Sequence, residues 1–224
     1  MSKLILLRHG ESIWNKENRF TGWVDIGLSE KGKQEAITAG KKLENYFFDK
    51  IYVSHLIRAV QTLNLILENI KDKRTAVIKH EDDKEIKSKE SYKEKNELII
   101  YQTKALAERH YGKLQGLNKE ETAKKYGKEK VHLWRRSYKI KPPGGESLED
   151  TLKRVIPYWN KKIKKDLINN KTILIVAHGN SLRAIVKYLE KISEKDIPNY
   201  EIPTGIPIEY TFDSKLKIIS KKQL

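Results

Sequence analysis

Residues 172–180 read Thr-Ile-Leu-Ile-Val-Ala-His-Gly-Asn. Thr172–Ala177 is a short, continuous apolar run rich in β-branched residues and closed by a turn. That is the pattern of a strand buried on both faces. The amino end repeats it, with Lys-Leu-Ile-Leu-Leu-Arg over Lys3–Arg8 followed by His9-Gly10. Strands covered on both sides need helices above and below them. The expected fold is therefore α/β in three layers, a mostly parallel central sheet flanked by helices.

The rest of the chain supplies the alternation this fold needs. Ser29 reads as the N-cap of a helix from Glu30 to about Tyr46. Lys50–Ser54 reads as a strand. Leu56, Ala59, Val60, Leu63, Ile66, Leu67 and Ile70 mark a helix over Leu56–Ile70, and Thr75–Lys79 a third strand. Glu81–Glu97 is almost entirely charged and polar and reads as an exposed insertion, helical in part or mobile. Asn118 can cap a helix over Lys119–Tyr126, with Glu121 at the capping-box position, and a second helix is expected over Lys128–Arg136. Ser147 can cap a long amphipathic helix to about Asn169, kinked at Pro157. A helix from Ser181 to about Glu190 and a pair of strands, Pro207–Phe212 and Lys215–Ser220, close the chain. With no internal repeat and no linker, residues 1–224 read as one domain carrying a charged insertion around 82–103.

Composition removes several functions. The 224 residues carry a formal charge of +16 and no cysteine, which rules out disulfides, a thiol nucleophile and a cysteine-based zinc site. No apolar run approaches the roughly 18 residues needed to span a bilayer, and the amino end is too short for a signal-peptide core. The chain is thus expected to be cytoplasmic, without a membrane partner. Its basicity could serve a nucleic acid. Yet only nine of the 46 cations are arginine, and lysines such as Lys161, Lys162, Lys164 and Lys165 fall at helical spacing. With no helix-turn-helix or aromatic–basic repeat, the reading is a solvated lysine surface and no nucleic-acid partner.

The chemistry gathers at the two strand ends. In open α/β sheets, ligands bind beyond the carboxyl ends of the strands. Two His-Gly pairs, at His9-Gly10 and His178-Gly179, lie 169 positions apart and can converge on one pocket. Two imidazoles alone would suggest a metal, but neither motif carries an acidic third ligand at metal-site spacing. Instead Arg8 adjoins His9, and Arg58 follows the second strand. Guanidinium groups around an imidazole point to a phosphoryl group: a neutral imidazole can attack phosphorus, and arginines stabilise the equatorial oxygens.

Several blocks carry a family resemblance. Leu7-Arg8-His9-Gly10-Glu11-Ser12, Trp14-Asn15 and Phe20-Thr21-Gly22-Trp23-Val24-Asp25 open the series. Glu108-Arg109-His110-Tyr111-Gly112-Lys113-Leu114-Gln115-Gly116, Trp134-Arg135-Arg136-Ser137 and Arg154-Val155-Ile156-Pro157-Tyr158-Trp159 follow. Ala177-His178-Gly179-Asn180-Ser181-Leu182-Arg183 and Ile202-Pro203-Thr204-Gly205-Ile206-Pro207 complete it. In this order they resemble the 2,3-bisphosphoglycerate-dependent phosphoglycerate mutases of the histidine phosphatase superfamily, over nearly the whole chain.

The resemblance implies interconversion of 3-phosphoglycerate and 2-phosphoglycerate in glycolysis and gluconeogenesis. It implies a phosphohistidine primed by 2,3-bisphosphoglycerate, no metal, and a homodimer or homotetramer. His9 would be the nucleophile, Arg8, Arg58 and His178 would hold the transferring group, and Glu108 would exchange the hydroxyl proton. Asn15, Thr21, Gly22, Tyr111, Lys119, Arg135, Arg136 and Asn180 would bind phosphate and carboxylate. Gly10, Glu11, Ser12, Arg109, His110 and Gly179 complete the implied substrate-binding set. A phosphatase of small metabolites would share the fold but has less need of Lys119 and Arg135-Arg136.

Three features depart from the family pattern. They are the charged insertion, the brief Pro142-Pro143-Gly144-Gly145-Glu146-Ser147 loop, and the short stretch after Phe212-Asp213. A shorter tail would exclude less water from a phosphohistidine and shift the balance from mutase toward phosphatase.

Overall fold

The computed structural model describes residues 1–83 and 96–224. Seven strands form one sheet: β1 (Ser2–Arg8), β2 (Lys50–Ser54), β3 (Thr75–His80), β4 (Glu97–Thr103), β5 (Thr172–Ala177), β6 (Ile208–Phe212) and β7 (Ile218–Gln223). Their order is β3-β4-β2-β5-β1-β6-β7. The first five run parallel, and β6 and β7 add an antiparallel edge.

Strand alternation assigns each core. Along β1, Leu4 and Leu6 point to one face, where they pack with Val155, Trp159, Leu182 and Ile185. Ile5 and Leu7 point to the other, against Ala39, Leu43, Ala59, Leu63 and Ile66. The second face is covered by α2 (Glu30–Lys42) and α3 (Ile57–Asn69), the first by α6 (Leu148–Tyr158), α7 (Lys164–Ile168) and α8 (Gly179–Glu190). A short α1 (Ile13–Lys16), α4 (Lys119–Tyr126) and α5 (Lys128–Arg136) lie outside these layers. There Phe20, Leu114, Val131 and Trp134 form a small core of their own.

The expected caps are present. Ser29 Oγ accepts from the Gly32 N–H, Asn118 Oδ1 from Glu120 and Glu121, and Ser147 and Asp150 bond reciprocally.

Three expectations are corrected. Residues 97–103, assigned by their sequence to the insertion, are strand β4, paired on both sides by β2 and β3. Its apolar core, Leu98-Ile99-Ile100, is three residues long and flanked by polar ones, too brief to stand out against its charged surroundings. The remainder of the expected exposed insertion, residues 84–95, lies outside the described residues. Beyond Pro157 the helical path does not simply kink. One widened turn over Trp159–Ile163 carries it into α7. Proline leaves a carbonyl one turn back without a donor, and a widened turn accommodates such a defect while Trp159 and Ile163 stay buried. Finally, α2 ends at Lys42, about one turn before Tyr46.

Candidate active site

Register brings the two histidines together. Arg8 pairs with Ala177, so the next residues of β1 and β5, His9 and His178, leave the sheet side by side. The His9 N–H donates to the Ala177 carbonyl at 3.0 Å, and the ring centroids are 4.9 Å apart. β2 lies on the far side of β5, and its last residue, Ser54, places Oγ 2.8 Å from His178 Nε2.

The His9 ring has a defined polarity. Nδ1 lies 2.7 Å from the Gly10 carbonyl, which can only accept, so Nδ1 carries the proton and Nε2 the lone pair. Burial, reinforced by Arg58 and Arg8, holds the His9 pKa well below 6.5, so the ring is neutral at neutral pH. Burial, with Arg58, His9 and Arg8 adding, does the same for His178. A neutral ring with a free lone pair among fixed cations is a nucleophile for an electron-poor phosphorus.

His9 borders a cleft whose walls are unusually cationic. Arg8, Arg19, Arg58, Lys119 and Arg135 line it, joined by Arg136 and Arg183, against two carboxylates, Glu108 and Glu201. Arg58, 1% exposed, is aimed by the Gly22 and Val24 carbonyls at 2.8 and 3.1 Å. Burial lowers its pKa to about 10, and that of Arg183 likewise, still leaving both charged at neutral pH. Lys119 is lowered further, to about 8, by burial and by Arg135, Arg8 and Arg136. Arg8 Nη1 donates to the Ile202 carbonyl at 2.9 Å, whereas its Nε, Thr21 Oγ1 and Arg183 Nε are buried with no partner. Such donors have room for oxyanion acceptors. The donor set therefore fits a compact molecule with several phosphate or carboxylate groups.

Glu108 is held by its own backbone surroundings. Its Oε1 accepts from the N–H groups of Arg109 and Asn180 at 2.7 and 3.2 Å. Arg154 gathers the preceding segment, donating to the carbonyls of Ala105, Ala107 and Glu108 and pairing with Glu146 at 2.9 Å. Trp23 Nε1 closes the other side, 2.5 Å from the Glu108 carbonyl.

The family model for the histidine phosphatase superfamily (branch 1) matches residues 4–91 and 86–220. The chain is 49% identical to the 2,3-bisphosphoglycerate-dependent phosphoglycerate mutase of Gloeothece citriformis, covering 99% of this chain and 98% of that one. It is 49% identical to the enzyme of that name from Chlamydia pneumoniae, over 94% and 93%. The chain belongs to the 2,3-bisphosphoglycerate-dependent phosphoglycerate mutases of the histidine phosphatase superfamily. Among solved structures, a mycobacterial glucosyl-3-phosphoglycerate phosphatase in complex with VO3 aligns with a TM-score of 0.76 at 22% identity, covering 100% of this chain and 97% of that one. That likeness concerns the fold.

Of the positions singled out by the family resemblance, thirteen meet at or beside the cleft. Arg8, His9, Asn15, Thr21, Gly22, Arg58, Glu108, Tyr111, Lys119, Arg135, Arg136, Gly179 and Asn180 line it. The His178 ring packs tilted against the His9 ring. Gly10, Glu11, Ser12, Arg109 and His110 do not line the cleft. The Glu11 carboxylate accepts from Ser29 Oγ at 2.7 Å, and Ser12 caps α1. Arg109, fully buried, stacks on Tyr111 and bonds to its hydroxyl at 3.0 Å, and His110 packs edge-on against Trp23. Arg19, Arg183 and Glu201 border the cleft without having been singled out. Arg183 is inside the Ala177–Arg183 block, one turn from Asn180, and helical spacing was a usable signal for it. Nothing in the local sequence marked Glu201.

Among the described residues no helix is long and apolar enough to cross a membrane.

Proposed function

We propose that the chain interconverts 3-phosphoglycerate and 2-phosphoglycerate through a phosphohistidine on His9. One observation carries the reading: the Nε2 lone pair of a neutral His9 opens into a cleft holding seven cations and the Glu108 carboxylate. A single phosphate needs fewer cations. A ligand with both phosphate and carboxylate uses a second cluster, and Lys119, Arg135 and Arg136 supply it.

When bound, 2,3-bisphosphoglycerate supplies the phosphoryl group that primes the enzyme. His9 Nε2 forms a P–N bond as the P–O bond to the leaving oxygen breaks, and Glu108 gives that oxygen its proton. Arg8, Arg58 and His178 surround the three equatorial oxygens, where charge is concentrated in transfer. In the forward direction Glu108 takes the proton from the O2 hydroxyl of 3-phosphoglycerate, O2 attacks phosphorus, and the P–N bond breaks. With the ligand turned in the cleft, His9 Nε2 re-forms the P–N bond to the 3-phosphoryl group as the P–O3 bond breaks, Glu108 returns the proton to O3, and 2-phosphoglycerate departs. Asn15, Thr21, Gly22, Tyr111 and Asn180 hold the oxygens that do not react. His9 Nδ1, fixed on the Gly10 carbonyl, keeps Nε2 in line throughout.

Incubation with 2,3-bisphosphoglycerate followed by mass spectrometry under non-acidic conditions is expected to find phosphate on His9 and none in His9→Ala. A coupled assay is expected to find 2-phosphoglycerate in large excess over free phosphate. Retained mutase activity in His9→Ala overturns the mechanism, and phosphate as the main product favours a phosphatase.

A further inference from the structure

Glu201 is an anion at the mouth of a site built for anions. Its carboxylate lies 2.5 Å from Arg136 Nη1, and both residues line the cleft that contains His9. The two differ in freedom: the Glu201 side chain is 63% exposed, the Arg136 side chain 29%. An exposed pair of this kind contributes only about 0–1 kcal/mol to folding, so stability does not account for a negative charge here. The Glu201 carboxylate occupies Arg136, a guanidinium group that an incoming carboxylate would otherwise use.

We infer that Glu201 acts as an internal counter-ion, occupying the Arg136 guanidinium in the empty site and giving it up to the carboxylate of the ligand. The exchange replaces one carboxylate on Arg136 by another, so the guanidinium is never left unpaired. A ligand carrying only a phosphate offers Arg136 no carboxylate in trade. Glu201 thereby makes the second anionic group of the ligand a condition for full occupancy of the cleft, which makes it a specificity-determining residue. Its side chain can swing into solvent without leaving a buried charge behind.

The inference rests on the phosphoglycerate reading for the identity of the ligand, but its test does not need turnover. Phosphoglycolate carries one phosphate and one carboxylate, and inorganic phosphate carries the first alone. Calorimetric titration is expected to show Glu201→Gln binding phosphoglycolate about 3- to 10-fold more tightly than wild type, as removal of a competing charge near the ligand implies. Inorganic phosphate is expected to change by less than about twofold, because it does not compete for Arg136. In an Arg136→Gln background the Glu201→Gln gain is expected to vanish, since the two substitutions remove one interaction. Equal gains for both ligands would reduce Glu201 to a general repulsive charge and overturn the inference. Weaker phosphoglycolate binding in Glu201→Gln would make it a support for Arg136 and overturn it as well. Failure of the mutase assay with these titrations as expected would remove the reaction and leave the counter-ion role standing.

Discussion

The hydroxyl of Ser54, at the end of β2, lies 2.8 Å from Nε2 of His178, at the end of β5. Both residues are fully buried. Because β1, β5 and β2 are neighbours in the sheet, three strand ends deliver His9, His178 and Ser54 in a row. Ser54 Oγ also accepts from the Leu56 N–H at 3.3 Å, which ties the hydroxyl to the start of α3, the helix that carries Arg58.

Ser54→Ala removes the side-chain hydrogen bond that holds Nε2 of the His178 ring. A misaimed donor to a transferring phosphoryl group lowers kcat rather than substrate affinity, by about 10- to 100-fold for one such hydrogen bond. Steady-state kinetics are expected to show that fall with KM little changed, and Ser54→Thr, which keeps the hydroxyl, should recover most of it. Wild-type kcat in Ser54→Ala would show that packing alone orients the ring.

Legibility followed the range of the signal. The central strands and their His-Gly ends were readable because burial on both faces leaves an apolar run that no surface segment imitates. Arg8, His9 and His178 were readable because they fall at strand ends, where topology does the gathering, and Arg58 because it follows β2 on the first turn of α3. β4 was not, since its few apolar residues are enclosed by charge and its pairing with β2 and β3 is long-range. Glu201 and Arg19 were not, because an exposed charge has the same local sequence whether it faces solvent or a ligand. Arg109, placed by its motif with the binding residues, is fully buried and stacks on Tyr111, which lines the cleft.

Lys119 is expected to make ligand affinity pH-dependent. Burial and the neighbouring Arg135, Arg8 and Arg136 hold its pKa at about 8. Below that pH the ammonium is charged and attracts an anion; above it the free site has lost a cation. KM for phosphoglycerate is therefore expected to rise as pH passes about 8. Lys119→Arg, whose guanidinium keeps its proton, should move that limb upward. A limb at the same pH in both proteins would assign it to another group.

The turn after β1 is packed directly on the start of α2. A Cβ on Gly32 would lie 2.0 Å from the Glu11 carbonyl oxygen, and one on Gly10 would lie 2.2 Å from the Gly32 carbonyl oxygen. Backbone must move to admit either. Gly32→Ala touches no ligand, but it pushes the segment that carries His9 away from the helix. The expected cost is about 1–3 kcal/mol in urea denaturation, as for other overpacked sites. Phosphorylation of His9 is expected to slow as well. A variant of wild-type stability and activity would show that the turn is loose.

The two buried imidazoles should also shape stability against pH. Burial, with Arg58 and Arg8 adding, lowers both pKa values well below 6.5 in the folded chain, while the unfolded chain titrates near 6.5. Between those values the unfolded state binds protons that the folded state refuses, so unfolding is favoured as pH falls. The contribution of each ring is complete above about pH 6.5 and declines below it, until the folded pKa is reached. The limiting slope is about 1.4 kcal/mol per pH unit for each proton. Urea midpoints measured from pH 7 to pH 5 should therefore fall less steeply in His178→Asn than in wild type. Parallel slopes would mean that His178 binds protons alike in the folded and unfolded chains, so that burial does not depress its pKa.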